Sequence, residues 1–144
     1  MILISHRGNI SGKNLKLENN PDYIMEAKKK GFDVEVDVWF KNDKFYLGHD
    51  YPKFEIKKKF LKQKKIWCHA KNFQAIPALN KIGAHYFWHQ KDDYTITSKG
   101  IIWVYPGKKL VKNSICVLPK NKRKLPINCL GICSDYIEKF RKLL

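Results

Sequence analysis

Short apolar runs separated by polar turns recur along the whole chain. The first, Ile2 to His6, is rich in β-branched residues and predicts a buried strand. Phe32 to Phe40 predicts a second strand. Asn42 and Asp43 then predict a turn, and Phe45 to Leu47 predicts an extended return. Further strands are predicted at residues 66–70, 84–88, 101–105, 115–118 and 130–133.

Helix start and stop signals fall between several of these runs. Asn20 can cap a helix, Pro21 suits its first position, and Gly31 ends it after three lysines. Asp135 and Glu138 have the spacing of a capping box, which predicts a C-terminal helix. Two more helices are predicted within residues 54–61 and 73–82.

The alternation of strands and helices predicts parallel strands and an α/β fold. The 144 residues suffice for one domain, residues 1–144. A complete (β/α)₈ barrel takes roughly 250 residues. The last four predicted strands are also too close together for a full helix between each pair. If the chain forms a barrel, its second half lacks most of its helices.

The composition is strongly basic, with 29 Lys and Arg against 13 Asp and Glu and a net charge of +16. Such a charge attracts phosphate esters, nucleic acid or an acidic membrane surface, although most of these lysines can simply cover a solvated surface. No known nucleic-acid-binding module is visible, so we expect no specific nucleic-acid partner. Weak contact with an acidic membrane surface is compatible with the charge.

The cysteines and the hydropathy indicate a cytoplasmic setting. The four cysteines form no Cys-x-x-Cys pair, and the spacing of Cys129 and Cys133 is only a weak zinc signal. We interpret all four as reduced core residues, as in a cytoplasmic protein. The apolar start of the chain is too short for a signal peptide, and no segment is long enough to span a membrane.

Two carboxylates are predicted to lie on one face of the second strand. Side chains alternate between faces, so Glu35 and Asp37 point one way and the neighbouring valines the other. The simpler interpretation is a solvent-exposed polar face. A strand buried on both faces, however, needs a partner for its carboxylates, and a hard cation such as Mg²⁺ or Ca²⁺ is a natural one.

Two histidines lie at predicted strand ends on either side of this acidic pair. His6 ends the first strand and His49 follows Leu47 and Gly48, so one imidazole can accept a proton while the other donates one. Arg7 carries a planar guanidinium suited to phosphate oxygens. General acid–base catalysis accelerates a reaction by roughly 10²–10⁴-fold, which alone is too little for cleavage of a phosphodiester. A bound metal would supply further acceleration.

The order and spacing of these motifs resemble the glycerophosphodiester phosphodiesterases. The resemblance covers the first third of the chain tightly and residues 130–136 weakly. Its motifs are His6-Arg7-Gly8, Glu18-Asn19-Asn20-Pro21, the run from Gly31 to Val38, and Gly48-His49-Asp50. It implies a phosphatidylinositol-phospholipase-like barrel. The fold predicted is therefore a compact, truncated TIM-type (β/α) barrel with several helices missing from the second half.

The resemblance also implies a role for each matching residue. It assigns acid–base catalysis to His6 and His49, and phosphate binding to Arg7. It places a divalent metal, Mg²⁺ or Ca²⁺, on Glu35 and Asp37. In the family a neighbouring substrate hydroxyl attacks first and gives a cyclic phosphate, so a related phospholipase D-like enzyme that stops at ring closure is an alternative.

The third predicted strand departs from the family pattern. The family carries Glu-x-Lys there, whereas this chain has His69 and Lys71. Lys71 keeps the phosphate-binding role, and His69 is our choice for the third metal ligand, which would favour Mn²⁺ or Zn²⁺. Alternatively, His69 contacts the phosphate and an acid from elsewhere in the chain completes the metal site. Glu18 lies near the cluster and is a second candidate. Asp92 and Asp93, after the fourth strand, are further alternates.

Several other residues near the strand ends can be core or site. His89 lies at the exit of the fourth strand, where an ordinary polar loop is as good an interpretation as a site role. The aromatic residues could line a pocket, but at this spacing we assign them to the core. They are Trp39, Trp88, Trp103 and Tyr105.

The leading hypothesis is a phosphoric diester hydrolase acting on glycerophosphodiesters or related small phosphodiesters. A degenerate barrel that binds such a ligand without cleaving it is the first alternative, because the third ligand is changed and the chain is short. A basic nucleic-acid-binding protein ranks last. The alcohol group of the substrate and the oligomeric state are left open.

Overall fold

A computed structural model describes residues 1–144, which form ten strands and four short helices. The strands are β1 (Ile2–His6), β2 (Asp33–Lys41), β3 (Lys44–Leu47), β4 (Phe54–Ile56), β5 (Ile66–Ala70), β6 (Tyr86–Trp88), β7 (Tyr94–Ile96), β8 (Ile102–Val104), β9 (Ser114–Val117) and β10 (Gly131–Ser134). The helices are α1 (Pro21–Lys29), α2 (Lys58–Leu61), α3 (Ala75–Lys81) and α4 (Ile137–Arg141).

All ten strands belong to one curled, mixed sheet that makes a half-barrel. Seven of them run parallel in the order β6-β5-β2-β1-β10-β9-β8. The hairpin β3–β4 continues antiparallel from the far end of β2, and β7 lies antiparallel on β8. The strand β2 is thus the branch point of the sheet, since it pairs with β1, β3 and β5.

The predicted TIM-type (β/α) barrel is wrong, because strands and helices do not alternate. Helices lie only between β1 and β2, between β4 and β5, between β5 and β6, and after β10. From β6 to β10 the connections contain no helix, and β2 is followed by the hairpin β3–β4 instead of a helix. The connections between β6, β7 and β8 are too short for a helix, and the longer ones before β9 and β10 are interrupted by Pro106, Gly107, Pro119 and Pro126, which do not continue a helix.

The strand predictions themselves are confirmed, since each predicted run contains or overlaps a strand. The strands β4 and β7 were not predicted. The turn between β2 and β3 has positive φ at Asn42 (51°) and Asp43 (58°), which is the backbone of a tight hairpin turn. No helix has the length and apolar character needed to cross a bilayer, the longest being the nine-residue α1.

The helices predicted from the signals at Asn20 and Asp135 are both present, as α1 and α4, but only the first cap forms as predicted. The Asn20 side chain accepts hydrogen bonds from the backbone N–H groups of Asp22 and Tyr23, and caps α1 as expected. The predicted capping box at Asp135 is not formed. Tyr136 occupies the N-cap of α4 and makes no side-chain cap bond, because the Asp135 carboxylate turns towards β1 instead.

Two apolar clusters lie on opposite faces of the sheet. The larger one contains the valines of β2 together with Ile24 of α1 and Leu79 of α3. The smaller one lines the concave face, with Ile4, Trp67 and Phe87 among its members. Fully burying such a side chain contributes roughly 1.5–3 kcal/mol. The concave face also carries the polar side chains that extend from the strand ends.

The four cysteines are free thiols, as predicted. Cys68 and Cys133 are buried, and burial raises the pKa of both thiols, Cys68 to a value far from neutrality. Cys116 and Cys129 are only partly buried, so the prediction that all four are core residues holds for two of them.

Candidate active site

Ionisable side chains gather at the carboxyl ends of neighbouring parallel strands. The register of the sheet sets them side by side, because β1 pairs His6 with Glu35 and β5 pairs His69 with Asp37. Carboxyl ends of parallel strands are the usual place for sites in such sheets. The residues are His6 of β1, Glu35 and Asp37 of β2, His69 of β5, His89 after β6 and Asp135 after β10.

A cavity of about 540 Å³ opens at these strand ends. Among the predicted site residues its walls contain His6, Arg7, Glu35, His49, His69 and Lys71. Three of the four aromatic residues that we had assigned to the core, Trp88, Trp103 and Tyr105, also line it. Trp39 does not, and its Nε1 donates to the Gly48 carbonyl oxygen at 2.7 Å.

Glu35 and His69, which line the cavity, form a cluster with the fully buried Asp37. One ligand atom from each lies within 4.8 Å of the other two. The Glu35 and Asp37 side chains are 2% and 0% exposed, yet Glu35 Oε2 and Asp37 Oδ1 have no hydrogen-bond partner. His69 Nδ1 lies 3.2 Å from Asp37 Oδ1, but the contact lacks hydrogen-bond geometry. Unpartnered buried oxygens are costly unless a cation completes their coordination.

Asp37 is held as a carboxylate. Burial alone would raise its pKa, but His69, Arg7 and Lys71 outweigh burial and hold the pKa well below its usual range. Arg7 Nε lies 2.8 Å from Oδ2, and Lys71 Nζ lies 3.6 Å from Oδ1. Asn19 donates to Oδ2 at 2.9 Å and accepts from the Asp37 backbone N–H, which fixes the orientation of the carboxylate.

Glu35 is the opposite case. Burial and the neighbouring Asp37 carboxylate raise its pKa, and the cations around it offset only part of this increase. The two carboxylates therefore repel each other across the cluster unless a positive charge lies between them.

Arg7 connects the cluster to the loop that precedes α1. Its Nη1 donates to Glu18 at 3.2 Å, and Asn9 donates to the other Glu18 oxygen at 3.0 Å. Glu18, one candidate for the third metal ligand, thus binds Arg7 and Asn9. It is not part of the cluster that Glu35, Asp37 and His69 form. Gly8 has a φ of +93°, and a Cβ there would come within 2.6 Å of Tyr23, so only glycine fits beside Arg7.

His6 is oriented by the carboxylate of Asp135, a residue that the sequence predicts to cap a helix. Its Nδ1 lies 2.7 Å from Asp135, which also accepts from Asn9 at 2.8 Å. Burial lowers the pKa of His6, but the hydrogen bond to Asp135 and the Glu35 charge outweigh burial and raise it. The useful signal was the position of Asp135 directly after a strand that pairs with β1.

His49 lies at the mouth of the cavity, on the turn after β3. Its side chain is 42% exposed, and its Nδ1 lies 2.7 Å from Asp50 Oδ1. Gly48 precedes it with a φ of +153°, and a Cβ there would come within 2.1 Å of the Tyr51 carbonyl oxygen. The turn is therefore compact, but His49 itself lies outside the buried cluster.

The remaining alternates for the third ligand do not reach the cluster. Asp92 Oδ2 lies 3.9 Å from His89 Nδ1, and Asp93 pairs with Lys108 at 3.0 Å on an exposed loop. His89 contributes its backbone carbonyl oxygen to His69 Nε2 at 2.9 Å. Of the residues considered as third ligand, only His69 joins Glu35 and Asp37.

Comparison of the chain with protein-family models, with curated proteins and with solved structures gives no match. The resemblance to glycerophosphodiester phosphodiesterases therefore stays a prediction from the sequence motifs. Function has to be argued from the site itself.

Proposed function

We propose that this chain is a metal-dependent phosphodiesterase that cleaves glycerophosphodiesters or related small phosphodiesters. One observation carries the proposal: His6, His49, Arg7, Lys71 and Glu35 line the same cavity, and the fully buried Asp37 forms a cluster with Glu35 and His69. Each element is common alone. Their combination matches what phosphodiester cleavage requires, namely proton transfer and neutralisation of phosphate charge.

Glu35, Asp37 and His69 would hold the divalent metal. The unpartnered Glu35 and Asp37 oxygens and the carboxylate repulsion fit such an ion. When bound, the metal supplies Lewis-acid polarisation of a phosphate oxygen and promotes attack by a water or hydroxyl group.

The two histidines divide the proton transfers. Both have Nδ1 beside a carboxylate, Asp135 for His6 and Asp50 for His49, which leaves each Nε2 for the substrate. His6 Nε2 lies 3.8 Å from Glu35 Oε2, so it works next to the metal cluster. His49 works from the solvent side of the cavity, where an alcohol can enter or leave.

Lys71 and Arg7 bind and orient the phosphate. Lys71 follows β5 and Arg7 follows β1, so they approach the cluster from two strands. Arg7 already contacts Asp37 and Glu18, which fixes its guanidinium before substrate arrives. The net positive charge of the chain favours entry of an anionic phosphodiester.

The proposal is tested with purified protein, glycerophosphodiesters and added Mg²⁺, Ca²⁺ or Mn²⁺. We expect alcohol release that chelation abolishes, and a loss of at least about 100-fold in His6→Ala and His49→Ala. His85→Gln is the matched control, because His85 bonds Thr97 away from the cavity. Phosphorus NMR distinguishes a linear product from a cyclic phosphate. Full activity in either alanine variant contradicts the assigned roles.

A non-catalytic phosphodiester-binding protein is the second candidate. The observations in its favour are the histidine, His69, in place of the family's glutamate at the third ligand position and the shortness of the chain. Tight calorimetric binding of a phosphodiester with no metal uptake and no turnover would support this alternative.

A further inference from the structure

We infer that the cluster of Glu35, Asp37 and His69 selects a transition-metal ion, Mn²⁺ or Zn²⁺, over Mg²⁺ or Ca²⁺. The inference deepens the proposed phosphodiesterase by specifying its metal. It rests on the donor set and on the hydrogen bonds that orient it, both of which are independent of turnover.

The tautomer of His69 is set by its neighbour. A carbonyl oxygen only accepts, so the 2.9 Å contact with the His89 carbonyl requires His69 Nε2 to carry the proton. In the neutral ring the Nδ1 lone pair then points at the carboxylates, 3.2 Å from Asp37 Oδ1 and 3.7 Å from Glu35 Oε1.

The ring has little freedom to turn away. It stacks on Phe87 with centroids 5.0 Å apart and planes 9° from parallel. A carbonyl bond on the far nitrogen is the usual way in which a protein orients a metal-binding histidine. His69 is therefore held with Nδ1 towards the carboxylates before any ion arrives.

The spacing of the donors suits one small ion. With metal–ligand bonds of about 2.1 Å, neighbouring ligands stand roughly 3.0–3.4 Å apart. The distances from His69 Nδ1 to the two carboxylates, 3.2 and 3.7 Å, are close to that range. Calcium needs longer bonds and six to eight oxygen ligands, which this cluster does not supply.

The charge balance also disfavours hard cations. The cluster brings two carboxylates, but Arg7 and Lys71 contact Asp37 at 2.8 and 3.6 Å and offset part of that charge. Magnesium and calcium bind mainly through carboxylate charge. An imidazole nitrogen, in contrast, strengthens binding of Mn²⁺ and Zn²⁺.

The test is calorimetric titration of the chelator-treated chain with each metal alone. We expect one site, with Mn²⁺ at least about tenfold tighter than Mg²⁺. Since any site favours Mn²⁺ to some degree, the decisive quantity is the ratio of the Mn²⁺ and Mg²⁺ affinities. His69→Glu should lower this ratio, and the control His85→Gln should leave it unchanged. An unchanged ratio in His69→Glu, or equal affinities in the wild type, overturns the inference.

A second measurement needs no variant. In the wild-type chain labelled with ¹⁵N-histidine, Zn²⁺ should shift the Nδ1 resonance of one of the five histidines while its Nε2 keeps its proton. If no histidine resonance responds, the inference is wrong. Neither measurement uses a substrate, so absence of phosphodiesterase activity would count against the proposed function and not against the metal preference.

Discussion

At the scale of single residues, the site depends on pairs that the sequence only partly indicates. The alternation of Glu35 and Asp37 along β2 was predictable from the period of a strand, and both side chains are buried beside each other. The partner of His6 was not. Asp135 lies 129 residues away, and helix-cap spacing offered a local explanation for it. The helix-cap spacing therefore gave the wrong role for Asp135, because its contact with His6 exists only in the folded chain.

The first prediction concerns the pair of Asp135 with His6. In Asp135→Asn the amide no longer stabilises a protonated His6, so we expect phosphodiesterase kcat to fall about 10- to 100-fold with little change in KM. Removing the carboxylate should also lower the pKa of His6, because its hydrogen bond and charge raise that pKa now. Rates as a function of pH and NMR titration of His6 measure both effects. Asp92→Asn, on the exposed loop beside the cavity, is the control.

At the scale of elements, apolar runs located the strands well but said little about what connects them. β1 and β5 begin and end where the pattern placed them. The segments after β6 were harder, because three-residue strands such as β7 are shorter than any reliable pattern. The barrel expectation failed in this region. In this region the short strands form by pairing with a neighbouring strand of the sheet. Such pairing leaves no pattern in the local sequence.

The second prediction concerns the contact between β1 and β10. Gly131 packs so closely against β1 that a Cβ would lie 2.5 Å from the Ile2 carbonyl oxygen. Gly131→Ala should therefore destabilise the fold by about 1–3 kcal/mol, measured by urea unfolding. Activity should fall as well, since this pairing aligns Asp135 with His6. Gly100→Asn is the control, because Gly100 has open space around it and asparagine tolerates its positive φ of 77°. Equal stability of the two variants would contradict the prediction, since it would show that β1 and β10 shift to accommodate the added methyl group.

At the scale of the whole molecule, the half-barrel keeps its larger apolar cluster apart from the cavity. The larger apolar cluster lies behind β2, away from the cavity, so packing and chemistry use opposite faces of the same strand. This separation explains why strand predictions hold although the overall architecture differs from the expectation. Burial of alternate residues is set locally, whereas the number and placement of helices depend on the whole chain.

The third prediction is a loss of global stability in mild acid. Burial lowers the pKa of His85 from 6.5 to about 4. The unfolded chain takes up this proton below pH 6.5, whereas the folded chain resists it until about pH 4, so stability falls as the pH falls across this window. Urea unfolding at pH 7 and pH 5 measures the loss. In His85→Gln the difference between the two pH values should shrink, and an unchanged difference would assign the loss to other groups.

The pairing of the first strand with the last has a consequence for biosynthesis. His6 leaves the ribosome well before its partner Asp135, which is made 129 residues later. Parallel pairing over such a separation is slow to form, because a long loop must close before any contact compensates for its entropy. A nascent chain that already carries Glu35, Asp37 and His69 therefore still lacks the carboxylate that orients His6. On the proposed function, full activity would begin only after β10 and Asp135 have been made and have paired with β1.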